Sequence, residues 1–237
     1  MTSLSVTQNV FHPNWTLPDN VGVAITTRAF GNLAVHVGDD PAAVLLRRRR
    51  LERELPLPHS VVWLQQRHTS NVLSWPFKTT IADAAYSSQP GSVCAVLTAD
   101  CLPIFICSSD GKEIAAVHAG WRGLADGVLQ NALKKFSTES SGLSVWIGPA
   151  IGPDAFEVGQ DVFDAFVSNQ FKTSHFFEPN GDKWLANLPG IAELICRQFG
   201  INEITQSDEC TVSHSDLWYS WRNEKAAARF ASIIWRK

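Results

Sequence analysis

The chain has 237 residues, 45% of them hydrophobic and 18% charged, with a net charge of −3 and a pI of about 6.1. That length suits one large domain or two small ones with a substantial core, and the composition excludes disorder as the main state. The charge balance gives no general attraction to nucleic acid or to an anionic membrane, and no apolar run reaches the length of a membrane span.

Met1 to Pro18 has no basic segment followed by an apolar one, so no secretory signal is expected. Val21 to Thr27 reads as a strand that ends at Arg28, before a loop containing Gly31 and Gly38. Asp39-Asp40-Pro41 is a helix start, an acidic cap with proline in the first turn. The helix runs to about Glu54, with Leu45, Leu46, Leu51 and Leu55 at helical spacing. Arg47 to Arg50 points around the whole cylinder without interleaved aromatics, which favours a solvated face over a nucleic-acid patch. Pro56-Leu57-Pro58 ends the helix, and Val61 to Gln66 and Asn71 to Trp75 read as strands around His68.

Val93 to Thr98 and Pro103 to Cys107 are continuous apolar runs, as expected of strands buried on both faces. Ser109-Asp110-Gly111-Lys112 is a turn before a strand over Glu113 to His118. Gly120 to Gly123 leads into a helix over about Leu124 to Phe136. Val145 to Ile147 is a strand, and helices follow at Gln160 to Asn169 and Asn187 to Phe199. Cys210 to His214 and Arg229 to Trp235 read as closing strands. With no repeat and no clear linker, the pattern predicts one α/β or α+β domain over residues 1–237, built on mixed sheets. Trp63, Trp146 and Trp235 read as core, whereas Trp121 stands apart between Gly120 and Arg122.

The five cysteines are odd in number and lack a framework spacing, so a reduced, cytoplasmic protein is the simplest expectation. Most free cysteines are small buried hydrophobes. Cys101 differs in standing between Asp100 and Leu102-Pro103, where Pro103 holds Leu102 extended. Its thiolate needs a nearby cation or metal, because Asp100 alone would raise the thiol pKa. His118 closes a strand, and Gly120 after it permits close approach of a ligand. Arg122 and the helix start at Gly123 offer positive charge to an anion. His68, Cys101 and His118 are a sufficient donor set for a zinc ion with one open position. Their spacings are long-range, so His12, His36, His59, His175 and His214 compete, His36 and His214 foremost because each lies near a strand end.

The chain resembles the YfiH-type family, the laccase-domain or polyphenol-oxidase-like proteins described as purine nucleoside phosphorylases. The likeness runs from about Val21 to Trp235. It is carried by Thr27-Arg28, Gly38-Asp39-Asp40-Pro41, Gln66-x-His68, Asp83-Ala84, Leu97 to Ile104, His118-Ala119-Gly120-Trp121-Arg122-Gly123, Ile147-Gly148-Pro149-x-Ile151-Gly152 and Ser220-x-Arg222. The chain departs from the pattern at the shortened Ala29-Phe30-Gly31 loop, at Arg47 of Arg47-Arg48, at Thr69, and at Trp221 and Asn223 around Arg222. The resemblance implies a layered α/β/β/α sandwich and zinc, with copper as the alternative ion, held by His68, Cys101 and His118. It implies phosphorolysis of adenosine, inosine and methylthioadenosine, with adenosine deamination beside it. Arg28, Gln66, Arg122 and Gly123 are then candidate contacts for nucleoside or phosphate, and Asp100 a candidate orienter of a histidine ligand. A cysteine hydrolase, with Cys101 as nucleophile and His118 as base in editing peptidoglycan precursors, is the second reading. Copper-dependent phenol oxidation ranks last, because seven scattered histidines do not cluster for several copper ions. No obligate protein partner is evident.

Overall fold

The computed structural model of the protein describes residues 9–168, 172–225 and 228–237. Strands β1 (Val10–Phe11) and β2 (Val21–Thr26) precede helix α1 (Pro41–Glu54). The Asp40 carboxylate caps α1 by accepting from Ala42 N at 3.0 Å. Val44, Leu51 and Leu55 form its buried stripe, while Leu45 and Leu46 face outward, correcting their expected place in the core. β3 (Val72–Ser74), β4 (Ala84–Ser87), β5 (Val93–Thr98), β6 (Leu102–Ser108) and β7 (Ile114–Ala119) follow. The expected strand at Val61 to Gln66 is absent. Val61 N there donates to the Glu52 carboxylate and Gln65 N to Thr80 O, so no ladder forms.

The expected helix at Leu124 to Phe136 starts earlier and is divided. α2 (Trp121–Ala125) and α3 (Val128–Leu133) meet at Gly127, whose φ of 91° breaks the helix. β8 (Leu143–Ile147), β9 (Glu157–Val158), α4 (Gln160–Val167), β10 (Phe177–Asn180), β11 (Lys183–Ala186), α5 (Leu188–Gln198), β12 (Glu203–Gln206), α6 (Trp221–Glu224) and β13 (Phe230–Arg236) complete the chain. Asn169, the expected end of α4, lies outside the described residues. Cys210 to His214 is a turn rather than a strand, touching Ala150 through one isolated bridge.

The layers follow from alternation along the strands. One sheet has the order β1-β2-β13-β5 and another β12-β8-β6-β7-β4-β3, with β10-β11-β9 as a small third sheet. On β5, Val93, Ala95 and Leu97 pack towards Leu51 of α1, whereas Cys94 and Val96 pack between the two large sheets. On β6, Phe105 and Cys107 meet them there with Trp146 of β8, while Ile104 and Ile106 pack towards α3 and α5. The result is a helix–sheet–sheet–helix sandwich of mixed α/β class, as the resemblance implies. No helix among the described residues is long and apolar enough to cross a membrane.

Candidate metal centre

His118 follows Ile114 and Ala116 in the alternation of β7, so its side chain faces the space between the two large sheets. β6 pairs Pro103 with His118, and Cys101 stands two residues before Pro103 on the same face. Both therefore arrive at one edge of the inter-sheet layer. His68 comes from the loop before β3 and completes the group. The three donor atoms lie within 4.8 Å of one another. Cys101 Sγ is 3.6 Å from His68 Nε2, and the two imidazole rings are 4.9 Å apart at 70°. One tetrahedral ion with bonds of about 2.3 Å to sulfur and 2.0–2.1 Å to nitrogen would set that S···N separation at about 3.6 Å. The donor set and its spacing fit a metal ion. Among the described residues this is the one such group of three or more side chains.

A carboxylate quoted above as part of a motif, but given no role there, holds the group together. His118 Nδ1 lies 2.8 Å from Asp83 Oδ1, which leaves Nε2 for a metal. The same carboxylate accepts from the backbone N–H groups of Arg67, His68 and Thr69 and from the Thr69 hydroxyl. Those bonds hold His68 at a φ of 58°, a left-handed conformation that costs a non-glycine residue about 1–3 kcal/mol. Asp100, at a φ of 79°, is the corresponding turn before Cys101. Its carboxylate accepts from Thr211 Oγ1 at 2.6 Å and Arg222 N at 2.7 Å. The expected task of Asp100, orienting a histidine, thus belongs to Asp83; Asp100 shapes the Cys101 turn. The sequence signal for Asp83 was an acidic residue opening the buried run Ala84-Ala85-Tyr86, where a carboxylate needs partners.

Gly120 is required by the same packing. A Cβ there would lie 2.5 Å from His68 Cδ2 and 3.0 Å from Cys101 Sγ. Gly123 approaches the same loop, and a Cβ there would lie 3.0 Å from Thr69 O.

The electrostatics favour a thiolate. Burial opposes ionisation of Cys101, but His118 and His68 outweigh it and hold the thiol at about 6. Burial likewise opposes charge on His118, but Cys101 and Asp83 raise it to about 9. Asp83 is lifted by burial and lowered more strongly by His118 and Thr69, ending well below the usual carboxylate range. Thiolate is the form in which cysteine binds a metal or attacks an electrophile.

Beside the donors is a chamber of about 90 Å³ whose wall includes Gln66, Thr98 and Arg229. The Gln66 amide grips the end of β5, donating to Leu97 O at 2.7 Å and accepting from Leu97 N at 2.8 Å. Arg28 and Arg122 are not part of this wall. Arg28 makes a two-pronged pair with Glu224 at 2.6 and 2.5 Å and donates to Ser215 O. Arg122 is exposed, with its guanidinium 4.2 Å from the Trp121 ring centre. His36 reaches the chamber as an exposed residue. His214 pairs instead with Glu209 at 2.6 Å. His12 bonds Val23 O, while His59 and His175 lie against aromatic rings.

A sequence model of the family described as "Multi-copper polyphenol oxidoreductase laccase" matches residues 19–237. The chain belongs to this family. Among its relatives, "Purine nucleoside phosphorylase YfiH" of Shigella flexneri is 42% identical over 235 residues, covering 94% of this chain and 97% of that protein. The Escherichia coli (strain K12) protein of the same name is 41% identical with the same coverage. In three dimensions, the chain is similar to the crystal structure of Neisseria meningitidis protein NMB0706, with a TM-score of 0.91 and 39% identity. That alignment covers 97% of this chain and 100% of the other.

Proposed function

We propose that the chain is one YfiH-like domain catalysing zinc-dependent phosphorolysis of adenosine, inosine and methylthioadenosine, with adenosine deamination as a side activity. The observation that carries this reading is the convergence of His68, Cys101 and His118 at a spacing suited to one ion. The relatives named as purine nucleoside phosphorylases support the reaction class. A two-imidazole, one-thiolate set suits zinc or copper, and one three-donor group among the described residues supports single-ion chemistry over a multi-copper centre. With a coordination position left open, bound zinc supplies a Lewis acid beside the substrate.

In phosphorolysis a phosphate oxygen bonds to the ribose anomeric carbon as the bond from that carbon to the purine nitrogen breaks. The purine leaves with the bond's electron pair and takes up a proton. In this reading Asp83 fixes His118, and Asp100 fixes the approach of Cys101. Gln66 holds the chamber wall to Leu97. Arg122 and Gly123, just beyond Gly120, meet the part of the substrate outside the chamber, and Arg28 steadies α6 through Glu224. The thiol held at about 6 beside His118 also supports a second reading, a cysteine hydrolase with Cys101 as nucleophile.

Release of adenine or hypoxanthine from nucleosides, followed against phosphate concentration before and after chelation, separates the two. Phosphate-dependent release that is lost on chelation and restored by zinc is expected. Base release at full rate in metal-free protein would refute the zinc mechanism, and stoichiometric alkylation of Cys101 in zinc-replete protein would promote the hydrolase.

A further inference from the structure

We infer that the Thr98 hydroxyl and the Arg229 guanidinium form a subsite for one tetrahedral oxyanion inside the chamber, inorganic phosphate being the ion it takes. Its identity as phosphate rests on the reading above; the subsite itself rests on four observations. First, Thr98 is 1% exposed and its Oγ1 has no hydrogen-bond partner. A buried hydroxyl in that state is uncommon and costly, and this one belongs to the chamber wall. Thr98 continues the Cys94–Val96 alternation, so it faces the inter-sheet layer in which Cys101 and His118 lie.

Second, the register of β5 against β13 pairs Thr98 with Phe230, and Arg229 stands immediately before Phe230 at the same end of the sheet. Arg229 also belongs to the wall. Its guanidinium donates to Ala228 O, and its backbone N–H to Asn32 Oδ1. Burial works against its charge, while Cys101 and Asp100 support it. Arginine keeps its charge in such places and offers a fork of donors that matches oxyanions.

Third, the chamber is small. Its volume is about 90 Å³, whereas pockets that enclose drug-sized ligands span roughly 300–1,000 Å³. It can enclose an oxyanion and must leave most of a nucleoside outside. Fourth, Arg229 is in the chamber wall, whereas Arg28 and Arg122 are not. An anion in the chamber therefore meets Arg229 and Thr98.

The test is calorimetric titration of inorganic phosphate into the zinc-loaded protein and its variants, with zinc content and melting temperature measured alongside. Thr98→Val keeps the shape and removes the hydroxyl, and should weaken phosphate binding about tenfold. Thr98→Ser should restore it. Arg229→Met should weaken binding about 100-fold. Arg229→Lys, which keeps the charge and loses the fork, should fall between. In kinetics the KM for phosphate should rise more than the KM for nucleoside. Wild-type phosphate affinity in folded, zinc-replete Thr98→Val and Arg229→Lys proteins would overturn the subsite, as would failure of Thr98→Ser to restore binding. If the wild type shows phosphate-dependent base release while these variants bind phosphate normally, the subsite falls and the phosphorylase reading stands. If phosphate binding depends on Thr98 and Arg229 but no base is released, the subsite stands and that reading falls.

Discussion

The two ends of the β6–β7 pair carry the same kinds of residue in opposite roles. One end has Cys101, His118 and the buried carboxylate Asp83. The other has Cys107 and the buried carboxylate Glu113, with Tyr86 beside it. Burial pushes the Cys107 thiol up to about 12, with Asp110 adding to it, whereas the imidazoles hold Cys101 at about 6 despite burial. Asp83 and Glu113 are both surrounded by donors. Glu113 takes the Tyr86 hydroxyl, the N–H groups of Ser137 and Thr138 and the Thr138 hydroxyl, all ending in structure. Asp83 takes an imidazole whose second nitrogen points at a shared centre. Burial of a thiol or carboxylate thus does not mark a site; what marks it is a partner with a further valence to offer.

Matched substitutions at the two ends test this contrast. The largest effect is expected for Cys101→Ser, which should abolish stoichiometric zinc binding and phosphate-dependent nucleoside cleavage together, since a hydroxyl is a poor replacement for thiolate. Cys107→Ala should leave zinc content and cleavage unchanged and lower stability by only about 1 kcal/mol. Equal zinc loss in both would erase the distinction between the ends.

Next comes the pair of carboxylates. Asp83→Asn should weaken metal binding about 10–100-fold, the usual cost of disturbing the group that orients a ligand. Glu113→Gln should leave metal affinity alone and cost about 2 kcal/mol of stability near neutral pH. In Glu113, burial raises the carboxyl pKa, but the bonds from Thr138 and Tyr86 outweigh it and bring it below its usual value. Its contribution is therefore present above the unfolded carboxyl pKa and lost as pH falls through the folded one. The stability gap between Glu113→Gln and wild type, read from urea unfolding, should close in acid; a gap that widens there would contradict the assignment.

Gly120→Ala adds one methyl against His68 and Cys101. Its backbone angles, φ −66° and ψ 160°, suit alanine, so any effect comes from the contact alone. Overpacking of about 1–3 kcal/mol should appear as a roughly 5- to 150-fold loss of metal affinity in a competition titration. The smallest effect concerns reactivity. In metal-free protein, alkylation of Cys101 should rise with pH through about 6 and then level off, because the thiolate is the nucleophile. Cys107 should stay unmodified while folded, and zinc should protect Cys101.

What the sequence made legible was local. The Asp40 cap, the Val93–Thr98 strand and the α5 start at Asn187 depend on neighbours in the chain and appear as expected. The helix after Gly120 was read through Gly127 because apolar residues keep helical spacing across it; the left-handed glycine is visible only in three dimensions. Strands β10 and β12 escaped notice because they expose or half-expose most of their residues and show no apolar alternation. At the site, spacing alone did not choose among seven histidines; the family motifs singled out His68 and His118. The role of Asp83 depends on His118, 35 positions away, and the pairing of Arg28 with Glu224 spans 196 positions. Neither separation leaves a trace in local pattern. Thr98 stood in a quoted motif, but its unpartnered hydroxyl is a property of packing.

The most direct measurement is X-ray absorption at the zinc edge on purified protein, with zinc counted per chain. One zinc per chain with one sulfur neighbour at about 2.3 Å and two imidazole nitrogens at about 2.0–2.1 Å is the expected result. The sulfur should vanish from the spectrum in Cys101→Ser. A zinc shell of nitrogen and oxygen alone in the wild-type protein, or sulfur that persists in Cys101→Ser, would contradict a centre built from His68, Cys101 and His118.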